Sequence, residues 1–321
     1  MGTESIEASF LSLFALICFF IFMFVSKYSY KIKGGALLDK DFSKPQAFHD
    51  IPVSRSGGIA TIICLSIFFY IYYLLYDEVL YNYIFISYSV FIVGFLDDLR
   101  VKINPFKRLI LMVLFLFIAI HFIPIKIFHI NVPFLDTLLY ESNNIFTSIF
   151  VLICFLFIIN GANLIDGFNG LLTINLIIIN IILTYININN ENLELSILII
   201  SQIIILFSFL LFNFPNAKIF FGDSGAYTMG AMISLNIIIT NNSTPEISSY
   251  FFCTLLFYLF FEVFFSFFRK ISQKKSPIYP DDEHLHMLSF YKISHSYGKN
   301  KGNYLNSIII NFFYLILITP G

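Results

Sequence analysis

Four short stretches of the chain carry acids, amides and histidines at spacings that could do chemistry. They are 97–98, 163–171, 213–225 and 276–286, and each adjoins a long apolar run. Carboxylate and amide oxygens suit Mg²⁺ as ligands, whereas glycine-flanked helix starts and histidines suit phosphate groups. Each stretch also has a simpler structural explanation. The functional interpretation therefore depends on whether the fold brings the four together.

The first stretch is a pair of acids, Asp97 and Asp98. Adjacent carboxylates at a membrane boundary repel each other and are poorly solvated, which raises a pKa unless a cation or base lies nearby. The pair is therefore a candidate for a Mg²⁺ site or a general base. The alternative is a helix-end pair that is neutralised by Arg100 and Lys102.

The second stretch places Asn163, Asp166 and Asn169 three residues apart. On one turn of helix this spacing points all three side chains the same way. Such an array of hard oxygen ligands suits Mg²⁺. The alternative is a turn rich in Asn and Gly with an Asp cap.

The third stretch contains Gly222-Asp223-Ser224-Gly225 directly before an apolar run. Glycines at a helix start leave free backbone N–H groups at the positive end of the dipole, which predicts an anion site. Asp223 could hold a bridging metal there. The alternative is an ordinary N-cap by Asp223 or Ser224.

The fourth stretch holds His284 and His286 beside three acids. Zn²⁺ is disfavoured because a third ligand at suitable spacing is missing, whereas imidazolium groups that contact a diphosphate fit better. A further histidine, His49, lies in a basic loop with Lys44 and Arg55.

The composition predicts a membrane protein. The chain has 321 residues, of which 58% are hydrophobic and only 12% are charged, against roughly 25% charged in soluble domains. Runs long enough to cross about 30 Å of hydrocarbon indicate an all-α, polytopic transmembrane helical bundle of about ten spans. These runs are 8–26, 57–76, 79–96, 109–123, 145–161, 171–187, 195–212, 225–240, 250–268 and 304–319.

Threading the ten runs through a bilayer puts eighteen of the nineteen Lys and Arg residues on one side. That side is predicted to be cytoplasmic, with both termini outside. The four chemical stretches fall in loops of this same side, which turn formation alone does not require. Together they predict a site for a metal-bound phosphate compound at the cytoplasmic membrane surface.

The remaining features predict one integral domain over 1–321. No internal repeat or linker is apparent, and no basic residue precedes the first run, so that run is expected to stay as an anchor. The four cysteines of the chain lie in apolar runs without CxxC spacing, which indicates neither disulfides nor a thiolate metal site. The short last run suggests that a C-terminal segment is missing. Nucleic-acid binding has no support.

The motifs resemble those of the polyprenyl-phosphate N-acetylhexosamine-1-phosphate transferases. This family includes phospho-MurNAc-pentapeptide translocase and the enzymes that start O-antigen, enterobacterial common antigen and teichoic acid synthesis. The resemblance runs from about Asp39 to His286. It is carried by Asp97-Asp98, 163–171, 220–225, His284-Leu-His286 and the pattern Asp39, Lys44, His49, Pro52 and Arg55-Ser-Gly-Gly58.

The resemblance implies a reaction at the cytoplasmic face of the plasma membrane. A sugar 1-phosphate, most simply GlcNAc 1-phosphate, passes from a UDP-sugar to undecaprenyl phosphate with Mg²⁺ and release of UMP. The product would initiate a cell-envelope polysaccharide. The expected partners are the UDP-sugar, the lipid phosphate and the bilayer, and a homodimer is left open.

The resemblance also implies residue roles. Asn163 and Asp223 would hold the metal, and Asp97 and Asp98 would serve the metal or activate the lipid phosphate. Asp166 would support the nucleotide or metal, and His284 and His286 would contact the diphosphate. The substrate-binding residues would be Lys44, Arg55, Asn169, Gly222 and Ser224. Glu262 lies where relatives often carry an acid before a basic pair, and pairing with a neighbouring helix is its alternative role.

Two departures from the family pattern bear on specificity. Asn169 replaces the second acid of the common DGxDG form, and Met287 stands where many relatives have another histidine. The second departure favours the O-antigen-initiating branch over the peptidoglycan translocase branch.

The alternative function is a transporter of an anionic solute, which is disfavoured because transporters usually carry ionisable groups near the bilayer midplane.

Overall fold

The computed structural model describes residues 3–40, 51–99, 101, 104–123, 125–141, 145–276 and 282–319. Thirteen α-helices lie within these ranges. They are α1 (Thr3–Tyr28), α2 (Gly57–Tyr76), α3 (Tyr81–Asp98), α4 (Pro105–Phe122), α5 (Pro133–Glu141), α6 (Ile145–Ile165), α7 (Leu171–Asn189), α8 (Leu193–Asn213), α9 (Gly222–Ser243), α10 (Ser249–Leu255), α11 (Phe257–Ser272), α12 (Leu285–Tyr297) and α13 (Lys299–Ile318). A 3₁₀ helix (Ser29–Gly34) follows α1, and β1 (Leu38–Asp39) pairs with β2 (Val53–Ser54) in an antiparallel ribbon.

The long apolar helices confirm an all-α polytopic membrane protein. Six helices are long and apolar enough to cross a bilayer, namely α1, α2, α4, α6, α7 and α8. The pair α10 and α11 would add a seventh span, although it bends by 71° at Leu256. The count of ten spans and the side on which each loop lies stay predictions.

Helix α9 is the centre of the bundle. Eighteen of its 22 residues are buried, and it packs against α2, α3, α6 and α7. At 1.5 Å per residue it is about 33 Å long, enough to span a bilayer. It is not among the six apolar helices because protein rather than lipid surrounds it, so Gly, Ser, Thr and Asn can line its surface.

An amide network holds α9 to its neighbours inside the bundle. The Asn236 side chain donates to Gln202 Oε1 at 2.8 Å and to Asn180 Oδ1 at 3.3 Å. It accepts a hydrogen bond from the Tyr83 hydroxyl at 3.0 Å. These groups belong to α3, α7, α8 and α9. Because an amide in hydrocarbon requires internal partners, the network ties four helices together.

Backbone hydrogen bonds fasten the segment between β2 and α2 to the segment before α9. The N–H of Phe220 donates to Ser54 O at 2.8 Å, and the N–H of Gly57 donates to Phe220 O at 2.9 Å. Ser54 also forms a parallel bridge with Ile219. These bonds place Arg55 next to the N-terminal end of α9.

The structure contains elements that the apolar pattern does not reveal. The predicted run 250–268 is two helices, and α5 and α12 fall in regions without an apolar run of spanning length. Helix α12 begins at Leu285, between the two histidines of the fourth stretch. A short or half-polar helix gives no long hydrophobic signal, so these elements need tertiary contacts to be recognised.

The closest approach of α3 to α9 yields a stability prediction. A Cβ on Gly94 would lie 2.5 Å from the backbone N and Cα of Ser224, whereas a Cβ on Gly167 would lie 3.8 Å from its nearest neighbour, His286 Nε2. Gly94→Ala should therefore push the helices apart at a cost of about 1–3 kcal/mol. Thermal unfolding in one detergent should show a lower transition for Gly94→Ala than for the control Gly167→Ala. Equal transitions would contradict the close packing.

Candidate active site

A cavity of about 820 Å³ opens at the end of the bundle where the chemical stretches meet. It lies where α3 and α6 end and where α4 and α9 begin. Its polar lining consists of Asp39, Arg55, Asp97, Arg108, Asn160, Asn163, Asp166, Asn169, Asn213, Asp223, Tyr227, Ser266, Lys270, His284 and Asn303. The predicted convergence of residues from all four stretches is thus present in the structure.

Asp98 fixes the start of α9 from behind the cavity wall. Its Oδ1 accepts the N–H of Asp223 at 3.0 Å, and its Oδ2 accepts the N–H of Ser224 at 3.0 Å and the Ser224 hydroxyl at 2.5 Å. Gly222 has φ +74°, and a Cβ there would lie 2.7 Å from the Asp98 carboxylate. Glycine is required because it tolerates this dihedral and leaves room for the acid.

These contacts correct the expectation of a free anion site at this helix end. The anion at the N-terminus of α9 is the buried carboxylate of Asp98, and neither Asp223 nor Ser224 acts as the N-cap. Asp98 and Ser224 are buried and do not line the cavity, whereas Gly222 lines it. Asp98 therefore positions Asp223, its neighbour in space, through the helix start.

Arg108 joins two of the predicted acids. Its Nη1 lies 3.0 Å from Asp97 Oδ2 and 2.7 Å from Asp223 Oδ2, and the Tyr227 hydroxyl donates to the same Asp223 oxygen at 3.4 Å. The guanidinium lies 6.0 Å from the centre of the Tyr227 ring. One cationic group thus pairs with two carboxylates from different helices. The predicted partners of the acid pair, Arg100 and Lys102, lie outside the described residues.

The loop 166–170 brings the second stretch into the cavity. Helix α6 ends at Ile165, so Asn163, Asp166 and Asn169 do not share one helical turn as expected, yet all three line the cavity. Asn169 is held from two sides, because its N–H donates to Asn303 Oδ1 at 2.8 Å and its side-chain amide donates to Pro215 O at 2.8 Å. Burial raises the pKa of Asp166, and the nearby charge of Asp223 acts in the same direction.

Arg55 is the second guanidinium of the cavity. Its Nη2 lies 2.6 Å from Asp39 Oδ2, and its Nε donates to the same oxygen at 3.1 Å. Burial acts to lower the pKa of Arg55, but the charges of Asp39, Asp223 and Asp98 outweigh it and raise that pKa. Arg55 therefore stays cationic beside the acids. Lys44 and His49, predicted from the same loop, lie outside the described residues.

The two histidines share one buried acid. Glu262 Oε2 lies 3.1 Å from His284 Nδ1, and Glu262 Oε1 lies 2.9 Å from His286 Nδ1. His284 lines the cavity, whereas His286 lies behind it against Phe168 with ring centres 5.7 Å apart. Met287, expected where many relatives have a histidine, is buried and lines the cavity.

Sequence reasoning missed several lining residues. In the sequence Arg108 is one of several basic residues in a loop. An arginine in the first turn of an apolar helix, however, needs an acidic partner to be buried, and that is the signal that could have identified it. Tyr227 and Asn303 lie inside or beside apolar runs, and polar residues there are the available signal. Asn213 was in the third stretch, and its side chain accepts the N–H of Gly170 at 2.7 Å.

The donor set fits a divalent cation that shares its ligands with a substrate. Arg108 lies between Asp97 and Asp223, and the Asn163 amide donates to the Tyr227 hydroxyl at 3.3 Å. Within the described ranges no group of three or more His, Cys, Asp or Glu side chains could hold a metal. Mg²⁺ is typically bound through one or two carboxylates plus substrate phosphates rather than by a full protein cage.

Comparison with known sequences identifies the family. The model of glycosyl transferase family 4 matches residues 80–241, which is half of the chain and includes Asp97, Asp98, Asn163, Asp166 and Asp223. The chain belongs to glycosyl transferase family 4. Membership confirms the family resemblance and the predicted enzyme class, a phosphotransferase that moves a sugar 1-phosphate. The preference for one branch of the family stays a prediction.

This family 4 transferase also has a curated relative along most of its length. It is 25% identical over 312 residues to the undecaprenyl-phosphate alpha-N-acetylglucosaminyl 1-phosphate transferase of Thermotoga maritima. The match covers 96% of this chain and 87% of the relative. The similarity therefore extends to both sides of the region that the family model matches.

The adjacent acids of this family 4 transferase should differ in their effect on stability. Asp98→Ala would leave two buried N–H groups and the Ser224 hydroxyl without an acceptor, a loss of roughly 3 kcal/mol. Asp97→Ala removes a side chain that is 26% exposed and leaves Arg108 paired with Asp223, so the loss should stay below about 1 kcal/mol. Thermal unfolding of both variants would test this, and an equal or larger loss in Asp97→Ala would contradict it.

Proposed function

We propose that this enzyme transfers GlcNAc 1-phosphate from UDP-GlcNAc to undecaprenyl phosphate and releases UMP. The name of the Thermotoga maritima relative supports both the sugar and the lipid. The observation that carries the proposal is one cavity with two chemically different parts. Charged side chains line it near the ends of the helices, and apolar side chains line it between α4, α6 and α11.

The apolar part lies between α4, α6 and α11. It is lined by Leu109, Met112, Ile153, Phe157 and Val263. These side chains come from helices that are suited to a bilayer, and the charged residues lie at the ends of the same helices. A lipid phosphate and a soluble nucleotide can meet only at such a boundary, which supports a polyprenyl phosphate as the acceptor.

The charged part suits a diphosphate. Arg55, Arg108, Lys270 and His284 bring positive or protonatable groups to the cavity, and Asp97, Asp166 and Asp223 lie among them. Phosphoryl transfer depends mainly on positioning and on neutralising charge at the phosphate oxygens. The arrangement supplies both, since most of these side chains are held by hydrogen bonds or ion pairs to other parts of the fold.

The proposed reaction needs little activation of the nucleophile. An oxygen of the lipid phosphate attacks the β-phosphorus of the UDP-sugar and forms the new P–O bond. The bond from that phosphorus to the bridging oxygen breaks, and the electron pair leaves with UMP. Arg55 and Arg108 are placed to orient the diphosphate, and His284 is placed to donate a proton or hydrogen bond to a phosphate oxygen.

Mg²⁺ is part of the proposal. Asp223 and Asn163 would hold the ion with Asp97 beside them, and the bound ion would neutralise charge on the diphosphate and the leaving phosphate. Arg108 would then be available to the substrate, because the same carboxylates cannot bind both groups at full strength.

We further propose a place for the reaction in the cell. The cavity lies at the end that the distribution of basic residues assigns to the cytoplasm, and the UDP-sugar is a soluble cytoplasmic donor. The product is a lipid-linked sugar at the plasma membrane. It would start a cell-envelope polysaccharide, for which O-antigen is the favoured candidate because of Met287.

UMP release tests the proposal directly. Membranes that contain the wild-type protein should release UMP from UDP-GlcNAc only when undecaprenyl phosphate and Mg²⁺ are both present. Asp223→Ala should lower the rate by about 100-fold or more, since it removes a group that acts on transition-state charge. Glu246→Ala is the matched control, because this exposed acid follows the opposite end of α9.

The donors UDP-GalNAc and UDP-glucose, assayed in parallel, measure the sugar preference. Equal rates of UMP release in the wild type and in Asp223→Ala would contradict the proposal that Asp223 holds Mg²⁺. A transporter of an anionic solute would release no UMP under any of these conditions.

The pKa of Asp166 predicts the acid side of the pH profile. Burial raises this pKa above its ordinary value, and a group with a raised pKa loses its charge as pH falls through that higher value. If the ionised form is required, kcat/KM should begin to fall well above the pH of about 4 at which an ordinary aspartate titrates. Assays of UMP release from about pH 4.5 to 8 measure this. A flat profile across that range would contradict the requirement.

A further inference from the structure

Glu262 is fully buried in α11 and receives three hydrogen bonds. Its Oε1 lies 2.9 Å from His286 Nδ1 and accepts the Tyr258 hydroxyl at 3.2 Å, and its Oε2 lies 3.1 Å from His284 Nδ1. A buried carboxylate is costly unless its oxygens are hydrogen-bonded. The three donors therefore explain how the acid is tolerated at this depth.

The same contacts determine which nitrogen of each imidazole carries a proton. An ionised carboxylate can only accept, so both histidines must present a protonated Nδ1 to Glu262. The Nε2 atom of each ring then points away from the acid. The two rings are nearly parallel, with an interplanar angle of 9° and centres 5.4 Å apart, and each turns the side that carries Nε2 away from Glu262.

Both rings lie next to the candidate active site. His284 lines the cavity, and His286 Nε2 lies 3.8 Å from the position of a Cβ on Gly167, next to Asp166 in the loop 166–170. The Asn306 side chain donates to His286 O at 2.8 Å and holds the backbone of α12 in place. Neither ring can turn over without losing its bond to Glu262.

We propose that Glu262 is a positioning residue that fixes the tautomer and orientation of His284 and His286 together, with His284 at the cavity and the Nε2 atom of His286 turned toward Gly167 in the loop 166–170. The expected change in the rate of UMP release rests on the proposed function, whereas the expected tautomers do not.

Other charged groups surround the cluster. Lys270 on α11 and Asp166 on the loop line the same cavity. Arg269 on α11 pairs with Glu283 at 3.3 Å, just before His284. Tyr258 is the remaining titratable group in direct contact with the acid. Substitutions at Glu262 must therefore be compared with a variant that removes an acid elsewhere.

Glu262→Gln is the decisive variant. The two rings contact different oxygens of Glu262. In Gln one of these two positions becomes an NH₂ group, which must donate to the ring that it faces. One histidine is thereby forced into the opposite tautomer. Nitrogen NMR of the full-length protein, selectively labelled in histidine, distinguishes protonated Nδ1 from protonated Nε2. His284→Gln and His286→Gln assign the two signals.

In the wild type both His284 and His286 should be protonated at Nδ1. In Glu262→Gln only one of the two should be. kcat for UMP release should fall about 10- to 100-fold, the usual loss on removing such a partner, with KM changed less and the pH profile shifted. Glu246→Gln changes an exposed acid beyond the C-terminal end of α9 and should leave the signals and the rate unchanged. Unchanged tautomers together with kcat within about twofold of the wild type would overturn the inference.

A second variant tests the same inference if Glu262→Gln does not fold. Tyr258→Phe removes only the third donor to Glu262, so the Nδ1 signal of His286, which shares Oε1, should move while that of His284 moves less. No movement of either signal would overturn the inference. If the tautomers respond as expected but the wild type releases no UMP, the proposed function fails while the positioning role of Glu262 stands.

Discussion

The satisfied N-terminus of α9 is the interaction on which the candidate site depends. A central helix that begins inside the protein presents N–H groups that water cannot reach, and these need an acceptor. Asp98 from α3 supplies it with both carboxylate oxygens. The same contact requires Gly222 at the helix start and fixes the direction in which Asp223 enters the cavity. The buried acid Asp98 thus determines the position of Asp223, which lines the cavity.

The cavity combines charges of both signs without leaving them uncompensated. Arg108 lies between Asp97 and Asp223, and Arg55 is paired with Asp39. Buried or half-buried charges persist in proteins when they are paired in this way. The arrangement holds cations and acids side by side at the cavity wall.

The sequence predicted the chemistry of the site better than its geometry. The adjacent acids, the glycine-flanked Asp223 and the paired histidines were recognisable because their residue types and sidedness are unusual beside apolar runs. The partners were not, since Arg108 meets Asp97 and Asp223 only after α3, α4 and α9 have packed. Asp98 looked equivalent to Asp97 in the sequence, and only burial separates their roles. The bend at Leu256 was likewise hidden, because both arms are apolar and no proline or glycine marks it.

The amide network around Asn236 has a consequence for how the bundle can move. Sliding a helix by one residue also turns it by about 100°, which would carry Asp223 out of the cavity. Hydrogen bonds that join Asn236 to residues of α3, α7 and α8 oppose both the slide and the turn. Contacts in the middle of α9 thereby fix the direction in which a side chain at its end points.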